Sequence, residues 1–161
     1  SGKKGFINAI FLPLVMAAKP KFKFLEKLVT ADTAFEAFGK NLNELFSNCG
    51  VAVAATMVQL KSMSPKIKKV IKMQNKDLQS LLIDFLNEIV YYKDAESMLF
   101  PKVTAKVIEK NGLFLLTAEL AGDKIDFKKH KVLADVKSAT WHMFELQKKG
   151  KGWRAQVVLD I

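Results

Sequence analysis

Between Asp77 and Tyr92 the apolar residues Leu78, Leu81, Leu82, Phe85, Leu86, Ile89 and Val90 fall at i, i+3, i+4, i+7, i+8, i+11 and i+12. That spacing predicts an amphipathic helix, opened by Asp77, whose carboxylate suits a helix N-terminus. A second stripe, Leu42, Leu45, Phe46, Cys49 and Val53, follows the turn Gly39-Lys40-Asn41. There Asn41 reads as an N-cap with Glu44 three residues on. Alternation predicts strands elsewhere. Phe22 and Phe24 begin one, and Thr33–Phe38 sets Ala34, Glu36 and Phe38 against Thr33, Phe35 and Ala37. Lys66–Gln74 sets Lys66, Lys68 and Lys72 against Ile67, Ile71 and Met73. Beyond Pro101, Lys102–Lys110 and Leu113–Leu120 flank Asn111-Gly112, a type I′ hairpin signal. Ser138–Lys148 and Gly152–Ile161 flank Lys149-Gly150-Lys151, a second hairpin, and 122–136 reads as a polar connection.

Strand–helix–strand units thus occur twice, around 41–57 and 77–92, with no low-complexity linker between them. The fold class expected is α+β, its two main helices covering one face of a mainly antiparallel sheet. At 161 residues the chain fits one domain. Residues 1–20 stand apart as an apolar N-terminal arm or extension, and 21–161 form the domain proper. Lys3 and Lys4 precede an apolar run from Phe6 to Ala18 that Pro13 interrupts. Three readings fit this arm: a signal peptide, an extension ahead of Met16, or a segment packed on its own or a neighbouring subunit, which would make an oligomer. With Cys49 the sole cysteine, an internal disulfide and a Cys-rich zinc site are excluded, and a reducing, cytoplasmic setting is the default. Half the residues are apolar and the mean hydropathy is +0.08, which excludes a disordered tail and a multispan membrane protein.

Charge changes the picture. Twenty-six basic residues face 16 acidic ones, a formal net charge of +10, yet Arg154 is the only arginine. Lysines attract polyanions diffusely but lack the planar fork of bidentate recognition. The pattern fits RNA phosphates tracked by Lys66–Lys72 and the Lys148–Arg154 hairpin, or simply a solvated surface. Signatures of catalysis are missing: no phosphate loop ending in Lys-Ser/Thr, no Gly-x-Ser-x-Gly and no His-Glu-x-x-His. His130 and His142 lie on different elements without metal-like partners at i+4, Cys49 belongs to a core stripe, and Asp84 and Glu88 read as a solvated helix face.

Two aspartates stand apart from these. Asp32 lies at the entrance to a strand, and Asp160 follows the apolar run Val157-Val158-Leu159. If that last strand is central, its end brings together the Asp160 side chain and the α-carboxylate of Ile161. Such oxygen-rich groups suit Ca²⁺, Mg²⁺ or Mn²⁺, which also relieve the repulsion between the carboxylates.

From about Lys21 to Ile161 the chain resembles the archease family. The resemblance rests on Phe24-Leu25-Glu26, Thr30-Ala31-Asp32, Ala37-Phe38-Gly39-Lys40-Asn41-Leu42 and Glu44-Leu45-Phe46. It continues through Asp77-Leu78, Leu81-Leu82, Leu86-Asn87-Glu88, Tyr91, His130, Asp135-Val136-Lys137, Ala139-Thr140-Trp141-His142 and Val157-Val158-Leu159-Asp160-Ile161. It implies a two-layer sandwich of nested strand–helix–strand–strand units and a non-enzymatic accessory protein. The implied partner is the tRNA-splicing RNA ligase, whose guanylylation and multiple turnover the family promotes; tRNA and tRNA cytosine methyltransferases, with chaperone-like control, are the alternative, and no membrane partner is implied. It also carries over a divalent metal site (Ca, Mg or Mn) at Asp32, Asp160 and Ile161. Two departures accompany it: Glu26-Lys27-Leu28-Val29-Thr30 stands where the family writes a histidine directly before Thr-Ala-Asp, and Leu133-Ala134 replaces a lysine-threonine pair.

Overall fold

The structure, a computed structural model, describes residues 20–26 and 32–161. Most of the N-terminal arm and the segment holding Thr30, Ala31 and the histidine departure lie outside the described residues. In chain order the elements are β1 (Phe22–Phe24), β2 (Thr33–Gly39), α1 (Leu42–Met57), a 3₁₀ turn (Leu60–Ser62), β3 (Ile67–Asn75), α2 (Leu78–Glu96), β4 (Met98–Lys110), β5 (Leu113–Lys124), β6 (Ser138–Lys149) and β7 (Gly152–Asp160). The α+β class and antiparallel pairing are as expected. The strands, however, divide into two sheets, β1-β2-β7-β6 and β3-β5-β4. No helix among the described residues is long and apolar enough to cross a membrane.

Local chemistry sets these boundaries. Asn41 Oδ1 accepts the Glu44 N–H at 2.9 Å, and Asp77 Oδ2 accepts the N–H of Ser80 at 3.1 Å and its hydroxyl at 2.7 Å. Both helices therefore start where a side chain satisfies an orphan amide. Asn111 and Gly112 both take positive φ, 54° and 77°, as a type I′ turn demands. The second hairpin closes on Gly150-Lys151 alone, with positive φ at Gly150, so β6 keeps Lys149. Pro101 lies inside β4 rather than ahead of it. A register shift between Leu99 and Lys102 accommodates a residue without an N–H, and the ladder continues to Met98 opposite Lys124. That bulge needs Gly122, because a Cβ there would sit 1.8 Å from the Leu99 carbonyl oxygen. The expected polar connection is accordingly shorter at its start, since β5 runs through to Lys124.

Both helices contact both sheets: α1 packs on β2 and β4, α2 on β6, β4 and β3. The core between them is continuous, with Phe46 of α1 stacked on Phe85 of α2 and Phe35, Phe100, Leu116 and Val157 closing it from the sheets. Burying one such aromatic contributes about 1.5–3 kcal/mol. Side chains also tie the helices to strand edges. The N–H groups of Ala105 and Val107, on edge strand β4, donate to Ser47 Oγ (2.8 Å) and Asn43 Oδ1 (2.7 Å) of α1. On edge strand β6, Ala139 donates its N–H to Asn87 Oδ1 of α2 (2.8 Å) and accepts from Asn87 Nδ2 (3.1 Å). Each helix thus covers an edge that would otherwise be open to another strand.

Ala139 is buried, so removing its amide partner strands a donor and an acceptor. Asn87→Ala should lower unfolding free energy by about 1–3 kcal/mol in a urea titration. A loss within about 0.5 kcal/mol, typical of a neutral surface substitution, would contradict this role.

Candidate carboxylate site

Strands β2 and β7 end their pairing with Thr33 opposite Leu159, so Asp32 and Asp160 each lie one residue beyond the last pair of this ladder. On the other side of β7, Ser138 of β6 stands opposite Asp160. Ser138 and Asp160 thus share a row at one end of the four-stranded sheet, with Asp32 in the bend directly ahead of β2. Asp32 and Asp160 are half-buried, and Ile161 is exposed beside them. The next row on that face, Thr140–Val158–Ala34, has Val158 and Ala34 buried, and Thr140 Oγ1 donates to the Val158 carbonyl at 2.9 Å. β7 is central, as the sequence reading required.

The segment leading into β6 holds this end of the sheet in place. Lys137 N–H donates to the Asp160 carbonyl at 2.7 Å, Val136 is fully buried, and Asp135 pairs with Lys93 of α2 at 2.5 Å. Lys93 is itself buried and also meets Asp94 at 2.5 Å. Burial alone would depress its pKa, but the hydrogen bonds and charges of Asp135 and Asp94 outweigh that and raise it. The sequence reading missed this lysine, although it continues the α2 stripe at i+3 from Val90 and i+4 from Ile89. Beside it opens a cleft of about 500 Å³ lined by Met57, Leu99, Ile125, Phe127, Leu133 and the Lys93–Asp135 pair.

Among the described residues, neither Asp32 nor Asp160 forms an ion pair, and no three His, Cys, Asp or Glu side chains gather as a metal cluster. The donors available at this end are two carboxylates, the Ser138 hydroxyl and main-chain oxygens of Ile161. An all-oxygen set of this kind fits a hard divalent cation and not a soft one.

The other singled-out residues lie elsewhere. Cys49 is fully buried in the α1 stripe, where desolvation pushes its thiol pKa far up, as core chemistry dictates. His130 is buried with Nδ1 accepting the Asp126 N–H at 3.0 Å, a loop-closing role. His142 is exposed in a wide bulge, where Trp141–Phe144 face Val157 alone across β7. Gln156 latches that bulge by donating to the Met143 carbonyl at 2.8 Å, and Trp141 packs edge-on to Phe144 with half its surface in solvent. Of the two carboxylates read as a solvated face of α2, Asp84 is exposed and Glu88 is half-buried. Arg154, expected on a phosphate-tracking hairpin, is instead held on the sheet by Glu36, Gln156 and Glu145. Lys148 and Lys149 lie over the Trp153 and Phe38 rings.

Glu36 is buried between Arg154 and Lys23. Desolvation pushes its pKa up, but the hydrogen bonds and charges of Arg154 and Lys23 win and hold it below the ordinary value. The folded pKa therefore lies below the unfolded one, so its stabilisation is complete above the unfolded value and drains away as pH falls through the folded one. Between about pH 5 and pH 3, wild-type protein should lose more urea stability than Glu36→Gln. Parallel acid limbs would contradict the assignment.

With this geometry in view, the relatives can be placed beside it. The Archease protein family (MTH1598/TM1083) matches residues 22–161, and the chain belongs to that family. It is 36% identical to the protein archease of Sulfurisphaera tokodaii over 141 residues, covering 88% of this chain and 99% of that one. It is 35% identical to the protein archease of Methanosarcina barkeri over 133 residues, covering 82% and 91%. The solution structure of Methanobacterium thermoautotrophicum protein 1598 superposes with a TM-score of 0.77 at 32% identity, covering 88% of this chain and 99% of that one. A Thermotoga maritima archease, described as a possible chaperone, superposes with a TM-score of 0.54 at 14% identity, covering 85% and 98%, a likeness of fold.

Proposed function

We propose that this chain is a non-catalytic accessory protein that activates the tRNA-splicing RNA ligase, promoting guanylylation of the ligase and so its repeated turnover. The observation that carries the reading is the end of the β2–β7 ladder, where Asp32 directly precedes and Asp160 directly follows the last paired residues, Thr33 and Leu159. Family membership supplies the class of partner, and the carboxylate site supplies a chemical handle for it.

In this reading Asp32 and Asp160 provide the anionic ligands, with a main-chain oxygen of Ile161 and the Ser138 hydroxyl completing an oxygen set. A bound Ca²⁺, Mg²⁺ or Mn²⁺ would supply the positive charge that orients phosphate oxygens at the junction with the ligase. The chain's own contribution is positional. The Lys137 amide fixes the main chain of Asp160, and the Lys93–Asp135 pair fixes the segment that carries Lys137. The driving force is differential affinity: the site stabilises the ligase state competent for nucleotidyl transfer over the state that is not.

The test is guanylylation of the ligase from the same organism, with wild-type protein, Asp160→Ala and Asp32→Ala. Each variant should keep its fold by circular dichroism, lose the stimulation, and bind Ca²⁺ or Mn²⁺ at least about tenfold more weakly in calorimetry. Outer-shell substitutions alone cost about 10–100-fold. Full stimulation by a folded Asp160→Ala protein would overturn the proposal.

A further inference from the structure

The outer face of the three-stranded sheet gathers lysines that are far apart in sequence. The registers place Lys68, Ala121 and Lys102 in one row across β3-β5-β4, and Lys72, Thr117 and Lys106 in another. All four lysines are exposed. Strand spacing sets the two lysines of a row about 10 Å apart, and the four-residue offset along β3 sets the rows about 14 Å apart. The row between them is Val70–Glu119–Thr104, so the grid contains one carboxylate.

None of these lysines has a counter-ion. The ion pairs of the described residues use Lys23, Lys69, Lys93 and Arg154. The undescribed stretches 1–19 and 27–31 contain no Asp or Glu, so they supply none either. The contrast with the inner face of the same strand is direct. Lys69, one residue from Lys68, meets Glu96 at 3.0 Å and lies over the Tyr92 ring. The outer lysines are left without ion pairs on an exposed sheet face around the single carboxylate of Glu119, with Val70 and Ile108 as exposed aliphatic neighbours.

We infer that this face binds the phosphodiester backbone of RNA without reading its sequence. Lysine point charges neutralise phosphates but lack the fork that reads base edges, and no arginine lies on the face. A membrane surface would call for exposed aromatic residues among the lysines, and this grid has none. RNA, rather than another polyanion, follows from the proposed role beside an RNA ligase, and the inference rests on that reading to this extent. The carboxylate site lies on the other sheet, so one molecule can hold RNA on one face and meet the ligase at another.

The experiment is fluorescence anisotropy of the full chain with an unmodified tRNA transcript across a salt series. Four phosphate contacts should make affinity fall about 100-fold between 50 and 200 mM salt. Replacing Lys68, Lys72, Lys102 and Lys106 together with Gln should weaken binding and flatten the log–log salt slope by about three to four. A control replacing the exposed lysines Lys124, Lys128, Lys129 and Lys131, at the end of β5 and in the connection after it, with Gln removes the same net charge and should retain most of the affinity. Equal losses in both variants would overturn the inference by showing diffuse attraction. So would binding to phosphatidylserine vesicles as tight as to tRNA and equally sensitive to the face variant. Melting curves of both variants establish that they fold. The assay contains no ligase, so a negative result here leaves the guanylylation result standing, and the reverse holds.

Discussion

Each helix in this fold is tied to the edge of the sheet that its own preceding strand does not join. β2 belongs to the four-stranded sheet, yet α1, which follows it, satisfies Ala105 and Val107 on the edge of the other sheet through Ser47 and Asn43. β3 belongs to the three-stranded sheet, yet α2 satisfies Ala139 on the edge of the four-stranded sheet through Asn87. The exchange couples the two halves: neither sheet can shift without breaking side-chain hydrogen bonds to the opposite helix. It also holds the start of β6, next to Ser138, which stands opposite Asp160.

Periodicity carried the elements well where one face alone is buried. The α2 stripe from Leu78 to Val90 needed no partner to be read, and Asn111-Gly112 announced its turn because few residues tolerate positive φ at two successive positions. Pairing was less legible. Alternation in 33–38 gives two faces, but nothing in it says that β2 lies between β1 and β7 rather than in one sheet with β3. Both faces of β2 are in fact largely buried, Glu36 included, because Arg154 and Lys23 neutralise it. Pro101 marked a boundary in the sequence and a bulge in the fold, since a missing N–H is tolerated in either place.

The site was legible in a different way. Carboxylates at a strand entrance and at the end of an apolar run are a weak pattern, and the family resemblance gave it direction. The β2–β7 ladder then ends one residue short of both, at Thr33 and Leu159. What the sequence did not expose was the support: Ser138 in the row of Asp160, the Lys137 amide on Asp160, and the buried Lys93 behind Asp135. Such partners are set by tertiary contact between residues twenty or more positions apart, and no local spacing encodes them. The lysine grid has the same origin. Lys68 and Lys72 were visible as one face of a strand, whereas Lys102 and Lys106 join them only because β5 pairs with both β3 and β4.

The central claim is that Asp32 and Asp160 form one oxygen site at the end of the β2–β7 ladder. Paramagnetic broadening of assigned amide signals during a Mn²⁺ titration tests it most directly. The account predicts that the amides of Asp32, Ser138, Asp160 and Ile161 broaden first and together, at substoichiometric metal. Early broadening centred on other carboxylates, such as Asp123 and Asp126, with Asp32 and Asp160 left sharp, would contradict it.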